Sequence, residues 1–130
     1  MSIVFDGHLI PMGNEIRERV SMKEKDRSIV QDIKQRLSEQ VQRHVERFIV
    51  FGSRARGDAP VDSDLDLIAL VDKKTPEIEK ALDDVAYEVM WDNDFNPIIS
   101  LKVFSRSSFE SAVARDLSFY KNVDSQGIAV

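Results

Sequence analysis

The chain has no cysteine and no long apolar run among its 130 residues. Without thiols it forms neither disulfides nor thiolate metal sites, so nothing in it depends on an oxidising compartment. No stretch approaches the ~20 apolar residues needed to cross a bilayer. The first ten residues, MSIVFDGHLI, lack the basic start and the long apolar segment of a secretion signal. We therefore expect a cytoplasmic protein without a membrane partner.

Basic charge is also scarce. The net charge is −5 and the sequence pI is near 5.0, whereas proteins that bind nucleic acids non-specifically present a basic face to the phosphates. Eleven of the eighteen lysines and arginines lie between Arg17 and Arg56, and acidic residues dominate from Asp58 to Asp94. A local basic surface beside an acidic one is compatible with this distribution. Direct binding to nucleic acid is not expected.

Length and composition predict a single globular domain. Hydrophobic residues make up 42% and charged residues 32% of the chain, which is ordinary for a soluble fold with one core. Three short apolar segments predict strands, at residues 48–51, 64–71 and 97–104. We expect an α/β (α+β) fold, a small mixed sheet flanked by helices, as one domain over residues 21–130. Residues 1–20, with their glycines and proline, are expected to be irregular.

Helical periodicity appears before, between and after these strands. A capping box at Ser21 and Glu24 predicts a long amphipathic helix over residues 22–44. Thr75 followed by Pro76 predicts the start of a second helix, and Ser107 with Glu110 predicts a third. The aromatic residues Tyr87, Trp91 and Tyr120 are expected to pack in the core or at its rim rather than to stack on bases.

The segment FGSRARGDAPVDSDLDLIAL, residues 51–70, places unusual charge between two predicted strands. Gly52 has no side chain to keep a ligand from the backbone, and Ser53 offers an N–H and a hydroxyl to a phosphate oxygen. Arg54 and Arg56 can pair with phosphate through two hydrogen bonds each, although only one of them is expected to face inward. The Walker pattern G-x-x-x-x-G-K-[ST] is absent, so a P-loop does not explain the segment.

Asp64 and Asp66 follow this turn at strand spacing. Residues i and i+2 of a strand share a face, with Cα atoms about 6.6 Å apart, so both carboxylates can bind one ion. Such oxygen ligands favour Mg²⁺ or Mn²⁺ together with substrate phosphates. Asp58, Asp62 and Ser63 are interpreted as turn formers. A phosphate site opposite a metal pair suits phosphoryl or nucleotidyl transfer.

The sequence GSRARGDAPVDSDLDL resembles the nucleotidyltransferase signature of the DNA polymerase β superfamily, a Gly-Ser turn followed by Asp-x-Asp. Its Gly-Ser-x-Ala-Arg-Gly form is similar to the minimal nucleotidyltransferase (MNT) family, over roughly residues 22–130. The resemblance implies a polymerase β-like nucleotidyltransferase fold. It also implies ATP at Gly52 and Ser53, and Mg²⁺ on the catalytic pair Asp64 and Asp66. Many such proteins are antitoxins that adenylylate a tyrosine of a HEPN-domain ribonuclease toxin, which implies such a toxin as partner.

One feature departs from the superfamily pattern, which has a third carboxylate on a later strand. The segment PIISLKVF, residues 97–104, contains none, and turn chemistry explains Asp92 and Asp94 before it. Three interpretations follow: transfer with two carboxylates, a substitute from elsewhere, or nucleotide binding without transfer. Three functions therefore stay open. The chain is a protein adenylyltransferase, an inactive binding module that neutralises its partner by contact, or a free-standing enzyme that modifies a small molecule.

Overall fold

A computed structural model describes residues 2–5, 8–11, 22–60 and 62–130. These residues form a four-stranded mixed sheet with helices on both faces, together with a two-stranded antiparallel sheet. No described helix has the length and apolarity that a bilayer crossing demands. The strands are β1 Ser2–Phe5, β2 His8–Pro11, β3 Val45–Phe51, β4 Leu65–Val71, β5 Ile99–Ser105 and β6 Ile128–Ala129. The helices are α1 Glu24–Arg36, α2 Glu39–Gln42, α3 Ser53–Arg56, α4 Pro76–Asp92, α5 Arg106–Ala114 and α6 Ser118–Gln126.

The four-stranded sheet has the order β5-β4-β3-β6. Strand β3 runs antiparallel to β4 and β6, whereas β4 and β5 are parallel, which makes the sheet mixed as the sequence predicted. In this register Phe51 is the partner of Asp66, and Asp66 is the partner of Ser100. The end of β3 and the beginnings of β4 and β5 therefore meet at one end of the sheet.

Helices cover both faces of this sheet because its central strands are apolar on both sides. Helices α1 and α4 bury their apolar stripes on one face, where Ile33 and Leu82 are fully buried. Helices α5 and α6 cover the other face, where Phe109 and Val123 pack against Ile68. The predicted start of α4 at Thr75 and Pro76 is confirmed, and the helix buries a stripe at helical spacing: Ile78, Leu82, Val85 and Val89.

The prediction of one long helix over residues 22–44 is wrong, because this segment forms two helices, α1 and α2. Helix α1 ends at Arg36, and Leu37 takes an extended conformation with ψ of 141°. Ser38 then caps α2, because its side chain accepts a hydrogen bond from the Val41 N–H. A serine that satisfies a free backbone donor starts a new helix more readily than it continues an old one. The predicted cap at Ser21 lies outside the described residues, and Lys23 is the residue that precedes α1.

The N-terminal segment and the start of α5 differ from their predictions. Residues 1–20 were expected to be irregular, but Ser2–Phe5 and His8–Pro11 pair as antiparallel strands. The rest of that segment lies outside the described residues. The cap of α5 is Ser105 rather than Ser107, since its side chain accepts from the Ser108 N–H. Beyond Gly127 the chain adds β6 to the edge of β3, a pairing too short to carry a sequence signal.

Candidate active site

Gly52 and Asp66 lie against each other at the end of the sheet. Gly52 follows β3 with φ of 75° and ψ of −156°, a conformation open almost only to glycine. A Cβ atom placed on Gly52 would lie 2.8 Å from Asp66 Oδ2, so any side chain there would collide with the carboxylate. The missing side chain therefore leaves room for the backbone of the turn and the Asp66 carboxylate to lie side by side.

Ser53 begins the short helical turn α3. The Gly52 carbonyl accepts hydrogen bonds from the N–H groups of Ala55 at 3.1 Å and Arg56 at 3.4 Å, which closes the turn. Among the residues that the structure describes, the Ser53 N–H has no acceptor. Such a donor binds water or an anion, so the turn can offer the Ser53 N–H to a phosphate oxygen.

Asp64 and Asp66 bring two negative charges to the beginning of β4. Asp64 is exposed just before the strand, whereas Asp66 is half-buried in it. Burial raises the pKa of Asp66 above its ordinary value, and the charge of Asp64 raises it further, while Lys102 partly offsets both effects. Two carboxylates that disfavour each other's charge fit a divalent cation, because its charge relieves both the repulsion and the desolvation.

The donor set at this site contains two carboxylates. Among the described residues, no group of three or more aspartate, glutamate or histidine side chains is placed to hold a metal ion. Strand β5 instead contributes Ser100, the register partner of Asp66, and the exposed Lys102. Mg²⁺ commonly binds one or two carboxylates and completes its shell with water and substrate phosphates, so the pair fits this ion when nucleotide is present.

Arg54 does not point towards the predicted phosphate site. Its guanidinium forms a buried ion pair with Asp26 of α1, with Nη1 and Oδ1 separated by 2.8 Å. Its Nε and Nη2 atoms donate to the carbonyl of Ser63 at 3.2 and 2.7 Å. Arg54 was expected among the phosphate-binding residues, but these contacts commit it to fixing the turn against α1 and against the loop that precedes Asp64.

Arg56 is the arginine that the turn leaves at the surface. Its exposed guanidinium lies 3.5 Å from the carboxylate of Asp58, a solvent-exposed pair that contributes little stability. Arg56 also borders a cavity of about 230 Å³ next to Gly52. The cavity is lined further by residues at the end of β3 and along α6: Phe51, Phe119, Asn122, Val123 and Gln126.

The sequence reasoning missed two residues of the site. Asp26 occupies the apolar stripe of α1, four residues before Val30, and an acid on a buried stripe signals a buried cationic partner. Lys102 is the one charged residue in strand β5, which is otherwise apolar or small. Both could have been noticed as charges in apolar patterns. Their partners could not, since they lie 28 and 36 residues away along the chain.

The first prediction concerns the Asp26–Arg54 ion pair. Arg54→Met should lower the free energy of unfolding by about 3–5 kcal/mol, because it leaves a buried carboxylate without its cation. Asp26→Leu should have a similar cost. The double variant should lose much less than the sum of the two, because no buried charge remains. Urea denaturation measures all three variants.

Arg56→Met is the matched control, because it removes a guanidinium from the same turn at an exposed position. It should change the free energy of unfolding by no more than about 0.5 kcal/mol. Equal stabilities for Arg54→Met and Arg56→Met would show that the buried pair does not hold the turn.

The second prediction follows from the raised pKa of Asp66. At neutral pH the ionised carboxylate is held where burial and Asp64 oppose its charge, so Asp66→Asn should raise the melting temperature of the ligand-free protein. The folded-state pKa lies above the unfolded one. The stability lost to the ionised Asp66 carboxylate is therefore complete at a pH above its folded-state pKa. It is absent at a pH below the ordinary pKa of 3.8.

Thermal denaturation from pH 7 down to about pH 4 tests this, since the advantage of Asp66→Asn should disappear towards the ordinary aspartate pKa. Asp62→Asn, an exposed residue of the same loop, is the control and should leave the melting temperature unchanged. A variant Asp66→Asn that is less stable than wild type at neutral pH would contradict the electrostatic account.

Comparison with known proteins agrees with this geometry. The family model described as a nucleotidyltransferase domain matches residues 15–123, which is most of the chain and includes both aspartates and the Gly-Ser turn. Comparisons with curated proteins and with solved structures find no match. The strand, glycine turn and paired carboxylates thus occur within the matched region. The chain belongs to the nucleotidyltransferase domain family.

Proposed function

We propose that this chain is an antitoxin of the minimal nucleotidyltransferase type, which transfers AMP from ATP to a tyrosine of a HEPN-domain toxin. The observation that carries the proposal is the close approach of the Gly52 backbone to the Asp66 carboxylate. Because the turn that carries the Ser53 N–H lies against Asp66, this contact supports one site formed by the turn and the two carboxylates. Such a site handles a metal-bound triphosphate, as nucleotidyl transfer requires.

The phosphate chain is bound by the glycine turn. The Ser53 N–H and hydroxyl donate to phosphate oxygens, and Gly52 lets them approach the backbone. Arg56 exchanges its weak surface pair with Asp58 for a phosphate oxygen. Asp64 and Asp66 would hold Mg²⁺, which would neutralise phosphate charge and so ease attack at the α-phosphorus. The turn and the aspartates thereby fix the triphosphate in one orientation.

The nucleoside occupies the cavity beside Gly52. Its volume of about 230 Å³ suits a base, and its lining combines the rings of Phe51 and Phe119 with the amides of Asn122 and Gln126. The two rings meet edge to face, with centroids 5.5 Å apart. Aromatic faces stack on any base, and amides form the hydrogen bonds that select one. This lining supports a nucleotide as the donor.

The transfer forms one bond and breaks one. The acceptor oxygen attacks the α-phosphorus, the bond between that phosphorus and the oxygen leading to the β-phosphate breaks, and pyrophosphate leaves. The acceptor hydroxyl loses its proton to solvent. Since the described residues add no third carboxylate as a base, an acceptor that ionises easily is favoured.

Tyrosine meets that demand. A phenol has a pKa of ~10, far below that of an aliphatic alcohol, and a nearby cation lowers it further. Lys102 supplies such a cation, because its charge already acts on the Asp66 carboxylate. We therefore assign Lys102 the role of stabilising the phenolate as it forms.

The lack of a third carboxylate at the site, among the described residues, also supports a second candidate function. A chain with two carboxylates can bind MgATP without transferring AMP, and can then neutralise a toxin by contact alone. In this alternative the site is a binding module, and nucleotide only stabilises the partner-binding form. The two functions differ in whether the partner carries a covalent AMP.

The third prediction is an AMP adduct on a tyrosine of the toxin. The test protein is a HEPN-domain protein, if one is encoded beside the gene for this chain, and it is incubated with the chain and MgATP and then examined by mass spectrometry. The Asp64→Asn, Asp66→Asn double variant should give no adduct, because it cannot hold the metal. The Asp58→Asn, Asp62→Asn double variant, which removes the same charge from the same loop, should keep at least about a tenth of the activity.

The outcomes separate the two functions. An adduct on tyrosine that requires Asp64 and Asp66 supports transfer. If wild type and the Asp64→Asn, Asp66→Asn variant silence the toxin equally, and neither leaves an adduct, the toxin is neutralised by contact and not by transfer.

A further inference from the structure

An exposed apolar surface lies at the end of α4 and on the loop that follows it. We call it the aromatic surface and define it by four residues: Tyr87, Trp91, Phe95 and Ile98. Their exposures are 55%, 64%, 38% and 51%. Most tryptophan and phenylalanine side chains are largely buried, so adjacent large apolar groups at this exposure mark an interaction site more often than a solvated face.

The three rings form one cluster. Tyr87 and Trp91 are one helical turn apart with centroids separated by 6.4 Å, and Phe95 lies 5.7 Å from the first ring and 5.8 Å from the second. Phe95 reaches them because its backbone is left-handed, with φ of 55°, while its N–H donates to the Met90 carbonyl. Tyr87 and Trp91 were expected in the core or at its rim, but the buried stripe of α4 faces the sheet and leaves them outside. Tyr120 does pack against the core.

Acidic side chains border the rings along α4 and just after it, whereas Lys23 and Lys25 share a pocket with Asn96 and Pro97, next to Ile98. Asp84 and Glu88 form the neighbouring row of α4, and Asp94 follows the helix, all three exposed. Burial raises the pKa of Asp83, and the charges of Glu79 and Asp84 raise it further, which reflects the density of negative charge. The one lysine of α4, Lys80, lies 2.7 Å from Asp84 and is thereby partly neutralised.

This charge selects the class of partner. Phosphates of nucleic acids and of anionic lipids are repelled by an acidic border. A second copy of the chain is also disfavoured, because a twofold contact centred on the rings would bring the acidic border of one copy close to that of the other. A protein surface with an apolar centre and a lysine- or arginine-rich border is complementary to it in both respects.

We propose that the aromatic surface docks a protein partner through an amphipathic segment whose apolar face is bordered by basic side chains. Tyrosine and tryptophan are the residues that most often supply the energetic centre of such contacts. This inference does not rest on the proposed nucleotide transfer, because the exposure and the charge belong to the fold alone.

The position of the surface connects it to the candidate active site. Ile98 accepts a hydrogen bond from the Leu65 N–H at 2.8 Å, so the surface ends next to the strand that begins beside Asp64. A partner bound there stands at the edge of the site rather than on the opposite side of the sheet.

The chain offers a direct reporter, since Trp91 is its one tryptophan. The fourth prediction uses a synthetic amphipathic helix of about 18 residues, or five turns, with leucine on one face and lysine on the other. Titrating it into the full chain should shift Trp91 emission to shorter wavelengths with saturation. A matched peptide with glutamate in place of lysine should bind at least about tenfold more weakly.

Variants of the surface test the assignment. Glu88→Lys with Asp94→Asn changes exposed residues and keeps a side chain that tolerates the φ of 56° at position 94, and it should raise the Kd by about tenfold or more, as should Phe95→Asn with Ile98→Ser. Asparagine is chosen because it tolerates the left-handed conformation at position 95. Leu117→Ser is the control, since Leu117 is 40% exposed but lies outside the surface. It should leave the Kd within about twofold of wild type.

Three results would overturn the proposal. One is equal binding of the lysine and glutamate peptides. Another is binding that Leu117→Ser weakens as much as the surface variants do. The last is a Trp91 emission that acrylamide does not quench in the free chain. Protection at all concentrations would mean that the chain itself covers the surface, and protection that grows with concentration would mean that a second copy does.

Discussion

The buried ion pair between Asp26 and Arg54 is the constraint on which the site depends. Taking two charges out of water costs free energy. The attraction between them offsets this cost only where the geometry is fixed and the remaining donors are hydrogen-bonded. Here the other donors of Arg54 meet the Ser63 carbonyl, so one guanidinium joins α1, the glycine turn and the loop before Asp64. The two halves of the site are thereby held at a constant separation, although they come from different segments.

Asp66 shows the cost of that arrangement. Its carboxylate is half-buried, lies near Asp64 and touches the space that a side chain at Gly52 would fill. In the free protein this is unfavourable electrostatics, and it becomes favourable only when a cation arrives. Functional sites commonly hold charges that the fold alone would not select, and the stability lost there is supplied by the core around Leu67 and Val89.

Much of the fold was predictable because its signals are local. The apolar run of β4, the cap at Thr75 and the period of α4 each fix an element without reference to the rest of the chain. The break at Leu37 was missed because Ser38 competes with a helical pattern that continues past it. The final strand was missed because two residues carry no periodicity, and only the neighbouring β3 edge determines their pairing.

The residues of the candidate site were largely predictable from the sequence, but the separate roles of its basic residues were not. Gly52, Ser53, Asp64 and Asp66 stand close together in sequence, and a strand, a turn and a strand bring them close in space. Arg54 and Arg56 could not be distinguished from local sequence, because the choice depends on Asp26, which lies 28 residues from Arg54. The role of Lys102 depends in the same way on the parallel pairing of β4 with β5.

The central claim is that the glycine turn and the two aspartates bind one metal-bound triphosphate. Nuclear magnetic resonance with MnATP tests it most directly, because the paramagnetic ion broadens the amide signals of residues near it and leaves those of distant residues unchanged. The account predicts loss of the signals of Ser53, Asp64 and Asp66, with those of Lys73 and Lys74 at the other end of β4 retained. Broadening centred elsewhere, or unchanged when both aspartates are replaced by asparagine, would contradict it.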